Sequence, residues 1–73
     1  MMNDTEKRID VLVRELIGKD KILDHQTTEL FNLNNLIFPD LTEYNRSCPA
    51  CRARVWNRML KWWESNLKNK NSQ

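Results

Sequence analysis

Apolar positions recur along the first part of the chain at the spacing of an α-helix. Ile9, Leu12, Val13, Leu16 and Ile17 fall at i, i+3, i+4, i+7 and i+8, which gathers them on one side of a cylinder that turns about 100° per residue. The pattern predicts a helix over about 4–17. Asn3 or Asp4 can cap its start by accepting a bond from an orphan backbone N–H. Asp4 and Glu6 place negative charge at its positive end, and Gly18 stands where a left-handed C-terminal residue is wanted. A second stripe, Leu30, Leu33 and Ile37, predicts a helix over about 24–37 with Asp24 or Thr27 as cap, and Ile22 and Leu23 can continue the stripe upstream. Pro39 disfavours helical geometry at Phe38 and ends it. The third stripe is the widest. Cys51, Val55, Trp56, Met59, Leu60, Trp62, Trp63 and Leu67 occupy one half of a helix over about 48–67, while Arg54, Arg58, Lys61, Ser65 and Lys68 line the other half. Ser47 supplies a capping oxygen, and Pro49 fits the first turn, where its missing donor is not needed.

Between the last two stripes, residues 38–46 read FPDLTEYNR, a connector too rich in Pro, Asp and Asn for a helix of its own, with Leu41 and Tyr44 expected to turn inward. Residues 68–73 carry no apolar side chain and are expected to fray. One Gly and two Pro in 73 residues give too little turn punctuation for a many-stranded fold. The expectation is a single all-α domain over 1–73, a small three-helix domain in which the long amphipathic C-terminal helix packs on the other two.

A chain this short changes that picture in one respect. Below roughly 80 residues a single core rarely supplies more than about 3–5 kcal/mol of net stability, so a metal, a disulfide or association is expected to help. No run approaches the roughly 20 apolar residues of a membrane span. The opening MMNDTEKRID lacks the basic-then-apolar order of a secretory signal. The expected setting is therefore cytosol-like, where two cysteines three apart are thiols or ligands rather than a structural bridge.

The net charge of +2 conceals a segregation. Residues 1–45 hold five Lys/Arg against nine Asp/Glu, a balance of −4, and residues 46–73 hold seven against one, a balance of +6. Either the halves complement each other, within the fold or between copies, or the basic half faces an acidic partner.

Four sets of residues carry candidate chemistry. Cys48-Pro49-Ala50-Cys51 has the spacing of a zinc knuckle, but a closed structural site needs four ligands and His25 is the chain's one histidine. A complete site would take an unusual ligand or a second copy, the latter giving a zinc-stapled dimer. The same pair at a helix N-terminus suits thiolate redox work, without the βαβ context that usually accompanies it. The plain alternative makes Cys51 a small buried residue and Cys48 the start of the helix. Second, Arg54, Arg58, Lys61 and Lys68, flanked by Arg46 and Arg52, form a basic row that can track phosphates. Third, neighbouring Trp62 and Trp63 diverge by about 100° on a helix, so both cannot enter one seam. Tryptophan and arginine dominate protein interfaces, which makes Trp56, Trp62, Trp63 and Arg52 the expected contact set. Fourth, His25 stands among polar residues and reads as a solvated side chain. No nucleophile, base and carboxylate pattern and no glycine-rich phosphate loop is present in the sequence, and an enzyme is not expected.

The segment 29–60, with ELFNLNNLIFP, a short spacer and SCPACRARVWNRML, resembles a block in small uncharacterised proteins of tailed bacteriophages, where a Leu- and Asn-rich helix ending in Phe-Pro precedes Ser-Cys-x-x-Cys and an arginine-rich helix. The resemblance covers under half the chain. In this chain the block runs on into Lys61-Trp62-Trp63, and the acidic first helix lies outside it. It implies a phage origin, in the virion or the host cytoplasm, and no defined chemistry. The functional expectation is a non-catalytic accessory or assembly protein acting through a protein partner or self-association, with a DNA- or RNA-binding regulator and a zinc-stapled dimer as alternatives.

Overall fold

The computed structural model describes residues 3–68. Among them the elements are α1 (Asp4–Leu16), α2 (Asp24–Ile37), a short 3-10 turn (Pro39–Leu41) and α3 (Pro49–Asn66), so the all-α, three-helix expectation holds with helix ends moved by at most one residue. The fraying expected of the tail falls, beyond Lys68, outside the described residues.

Each helix start has its own chemistry. At α1 the Asn3 side chain accepts from the Glu6 backbone N–H at 2.8 Å while Glu6 Oε1 accepts from the Asn3 N–H at 3.1 Å, a reciprocal capping box. Gly18, at φ 82°, turns the chain out of α1 in the left-handed region that glycine tolerates. At α2 neither Asp24 nor Thr27 is the cap. The capping position falls on Leu23, whose N–H donates to Gln26 Oε1 at 2.9 Å, and the Thr27 hydroxyl bonds backwards to the Leu23 carbonyl at 3.2 Å. At α3 the cap is Cys48 rather than Ser47: its Sγ accepts from the Cys51 N–H at 3.1 Å, with Pro49 in the first turn.

The core forms where three faces meet. α1 contributes Ile9, Leu12, Val13 and Leu16, α2 contributes Leu30, Phe31 and Leu33, and α3 contributes Val55, Met59 and Trp63, closed by Leu67 just past its end. The α3 residues repeat every fourth position from Cys51, which itself packs on the cluster. Polar links fasten the seams: Gln26 Nε2 donates to Glu15 Oε1 and Arg8 Nη2 to Glu29 Oε1, each at 2.6 Å, between α1 and α2.

Three apolar expectations change. Ile17 lies past the end of α1 and is 47% exposed. Leu41 and Tyr44 face outward, 50% and 76% exposed, because the connector is held by its backbone instead. Asn34 Nδ2 donates to the Leu41 carbonyl at 3.2 Å, and Asn35 brackets Glu43, accepting its N–H at 2.9 Å and donating to its carbonyl at 3.0 Å. With the main chain fixed by α2, those two side chains have no need of the core.

Candidate functional site: a cleft at the start of α3

The half-buried Trp56 and the exposed Arg52 lie one turn apart on α3 and form one wall of a groove of about 450 Å³. Pro49 and Ala53 complete that wall. Leu30 and Phe31 of α2 make the floor, and Ile22 from the Gly18-to-Leu23 connector closes the far side. A smaller polar lobe of about 330 Å³ adjoins it, sharing Arg52 and Thr27 and adding Arg46, Ser47, Asp24 and Thr28. Asp20 and Lys21 also line the groove, so Arg52 stands between a mixed half and a polar half. Arg46, Arg52 and Lys61 enter no salt bridge among the described residues.

The expected contact set divides. Trp56 and Arg52 are brought together in the groove, and Trp62 is half-buried against the core margin. Trp63 is a core residue and not a contact residue: it is 4% exposed, and its Nε1–H donates to Asp10 Oδ1 at 2.8 Å. Asp10 also accepts from Arg14 Nε at 2.9 Å, and the Arg14 guanidinium lies 5.1 Å from the Trp63 ring centroid. The indole that diverges from Trp62 is therefore satisfied within the subunit.

The basic row is likewise divided. Arg54 Nε donates to Glu43 Oε2 at 2.9 Å, and this hydrogen bond, with a smaller coulombic contribution, holds the Glu43 carboxyl below the usual carboxylate range. The same bond raises the Arg54 guanidinium above its ordinary value. Arg58 is folded inward: its Nη1 donates to Asn34 Oδ1 at 2.9 Å and to the Leu41 carbonyl at 3.1 Å, and its guanidinium lies 5.8 Å from the Phe38 ring centroid. Two of the row's members secure the connector, which leaves Arg46, Arg52, Lys61 and Lys68 on the outer surface.

The cysteines also depart from expectation. Cys48 and Cys51 form a disulfide rather than a pair of thiols, with Cα atoms 5.1 Å apart, inside the range a bridge requires. Cys48 is extended at the cap and Cys51 lies in the first helical turn, which turns the two side chains toward each other. Arg54 Nη2 lies 3.4 Å from Cys51 Sγ. Among the described residues no group of three His, Cys, Asp or Glu side chains is disposed to hold a metal ion, so zinc would need both a reduced pair and ligands from a second copy. His25 is exposed, as its polar neighbours imply.

The sequence reading missed Ile22, Pro49 and Ala53 as groove walls, and it missed Val11. That valine is 62% exposed in a second groove of about 420 Å³ between α1 and α2, rimmed by Lys7, Arg8 and Glu15. One available signal was that Val11 breaks the polar side of α1. No helix among the described residues is long and apolar enough to cross a membrane. Comparison of the chain with protein-family models, with curated proteins and with solved structures finds no match.

Proposed function

We propose that this protein is a non-catalytic binding module that docks a protein partner in the cleft at the start of α3, with Trp56 and Arg52 as the anchoring pair. The observation that carries the reading is the two-lobed cleft itself. A slot walled by Trp56, Phe31 and Ile22, and lined also by Asp20 and Lys21, runs into a polar lobe where Arg46 and Arg52 stand with Asp24. That layout suits a segment presenting one large apolar side chain beside a carboxylate. Aromatic and Arg anchors at the edge of a pocket are the residues that concentrate binding energy. The resemblance of 29–60 to small tailed-phage proteins supplies the setting, an accessory or assembly role in a phage particle or its host cell.

Selection from a displayed library of short peptides tests the reading. The expected consensus is a bulky apolar residue flanked by Asp or Glu. Trp56→Ala and Arg52→Glu should each weaken binding of the selected peptide roughly tenfold or more, the range of a hot-spot truncation, while helical circular dichroism is kept and Lys61→Glu binds as wild type. A library that yields no binder, or a binder indifferent to Trp56→Ala, overturns it.

A nucleic-acid contact is the second reading, favoured by the exposure of Arg46, Arg52 and Lys61, which enter no salt bridge among the described residues. The pairing of Arg54 with Glu43 and the inward fold of Arg58 limit it. With about three or four phosphate contacts, the logarithm of affinity should fall with the logarithm of salt at a slope near −3, since each contact contributes about 0.9. Absence of binding at low salt removes this reading.

A further inference from the structure

We infer that Cys48–Cys51 is a thiol–disulfide exchange site, with Cys48 the sulfur that takes the incoming thiol and Cys51 the sulfur that leaves. Two arrangements carry this. The Cys51 backbone N–H, in the first turn of α3, donates to Cys48 Sγ at 3.1 Å, so that sulfur sits on a first-turn amide at the positive end of the helix. Independently, the Arg54 guanidinium reaches Cys51 Sγ at 3.4 Å while Glu43 holds its Nε at 2.9 Å. Each sulfur therefore has its own stabiliser for negative charge, one from the backbone and one from a positioned cation. Packing differs as well. Both cysteines are half-buried, but Cys51 packs against the core cluster, which leaves Cys48 as the sulfur less engaged by the core.

The exchange balances with a dithiol as co-reactant. One thiolate of the dithiol attacks Cys48 Sγ, forming a mixed disulfide and breaking the Cys48–Cys51 bond. The electron pair of that bond leaves on Cys51 as a thiolate beside Arg54. The second thiolate of the dithiol then closes on the first sulfur, releasing Cys48 as a thiolate under the Cys51 N–H. The dithiol is oxidised to its disulfide, the protein pair is reduced by two electrons, and the two protons given up by the dithiol end in solvent or on the cysteines. Pro49 belongs both to this pair's loop and to the wall of the Trp56 groove, so the redox state of the pair bears directly on the cleft.

The test uses the full chain and three variants. Oxidised protein is mixed with dithiothreitol, and the gain of two hydrogens is followed by mass. Cys51→Ser and Cys48→Ser are each mixed with oxidised glutathione, and the mixed disulfide is quantified. Reduction of the wild type is expected to outpace that of oxidised glutathione, and Cys51→Ser should form its mixed disulfide several-fold faster than Cys48→Ser. Arg54→Ala, on the exposed face of α3, should slow wild-type reduction several-fold with helical circular dichroism unchanged. The inference is overturned by equal rates for the two serine variants, by an Arg54→Ala chain that is reduced as fast as wild type, or by a freshly purified protein whose cysteines hold zinc and form no intramolecular disulfide on mild oxidation. Peptide binding by oxidised wild type is assayed in parallel, so failure of the exchange site is read separately from failure of the cleft.

Discussion

Asp10 settles which way the third tryptophan faces. Its carboxylate, 6% exposed at the side chain, receives the Trp63 indole N–H and the Arg14 guanidinium, and it does so from α1, 53 positions away in sequence from the indole it satisfies. Nothing local to Lys61-Trp62-Trp63 signals that acceptor. The sequence shows that two neighbouring indoles must diverge, but choosing the buried one requires knowing that α1 brings a carboxylate to that spot. The same holds for Arg54 and Arg58. On a helical wheel they belong to a solvated basic face, but Arg58 folds inward onto Asn34 and the Leu41 carbonyl, and Arg54 stays at the surface paired with Glu43. If Asp10 is the indole's partner, Asp10→Ala leaves a buried donor unpaired. It should cost about 1–3 kcal/mol, the usual penalty for such a group, whereas Asp10→Asn, which keeps an acceptor, should cost less. Urea denaturation followed by tryptophan emission measures both. Equal loss in the two variants would mean that the charge matters and the indole bond does not.

Among the elements, the helices were legible and the connectors were not. The 3.6-residue period survives in each stripe because burial on one face is a property of the segment alone, which is why α1, α2 and α3 end within a residue of expectation. Leu41 and Tyr44 were misplaced because a connector's path is set by partners on other elements, here the paired amides Asn34 and Asn35 of α2. The Glu43–Arg54 pair, where that connector meets α3, gives the connector a pH dependence with a definite sign. Arg54 holds the folded Glu43 carboxyl below its ordinary value of 4.5. A carboxyl with a lowered folded pKa stabilises the fold above the unfolded value and loses that contribution as pH falls through the folded one. The urea midpoint of wild type should therefore exceed that of Glu43→Gln at pH 7, and the gap should close as the pH is brought below about 4.5. A gap that persists undiminished at pH 3 would mean that the Glu43 side chain stabilises the fold by something other than its charge on Arg54.

For the whole molecule, one small core serves three helices and a cleft, so folding and binding are linked. Met59 lies at the centre of α3's buried stripe with no exposed surface. Truncating a buried Met to Ala costs about 2–5 kcal/mol, against about 3–5 kcal/mol of net stability for a domain this short. Met59→Ala should thus lose helical circular dichroism and native tryptophan emission together, and Met59→Leu, which nearly conserves volume, should retain both. The cleft exists only when α2, α3 and the Gly18-to-Leu23 connector are assembled, so a peptide seated there binds the folded chain alone. At a hundred times its Kd such a ligand adds about 2.7 kcal/mol to the folded state, enough to restore much of the helix signal in Met59→Ala. A selected peptide that binds wild type but leaves the variant unfolded at that excess would place its site on a single helix, because a site formed by all three elements cannot be filled without bringing them back together.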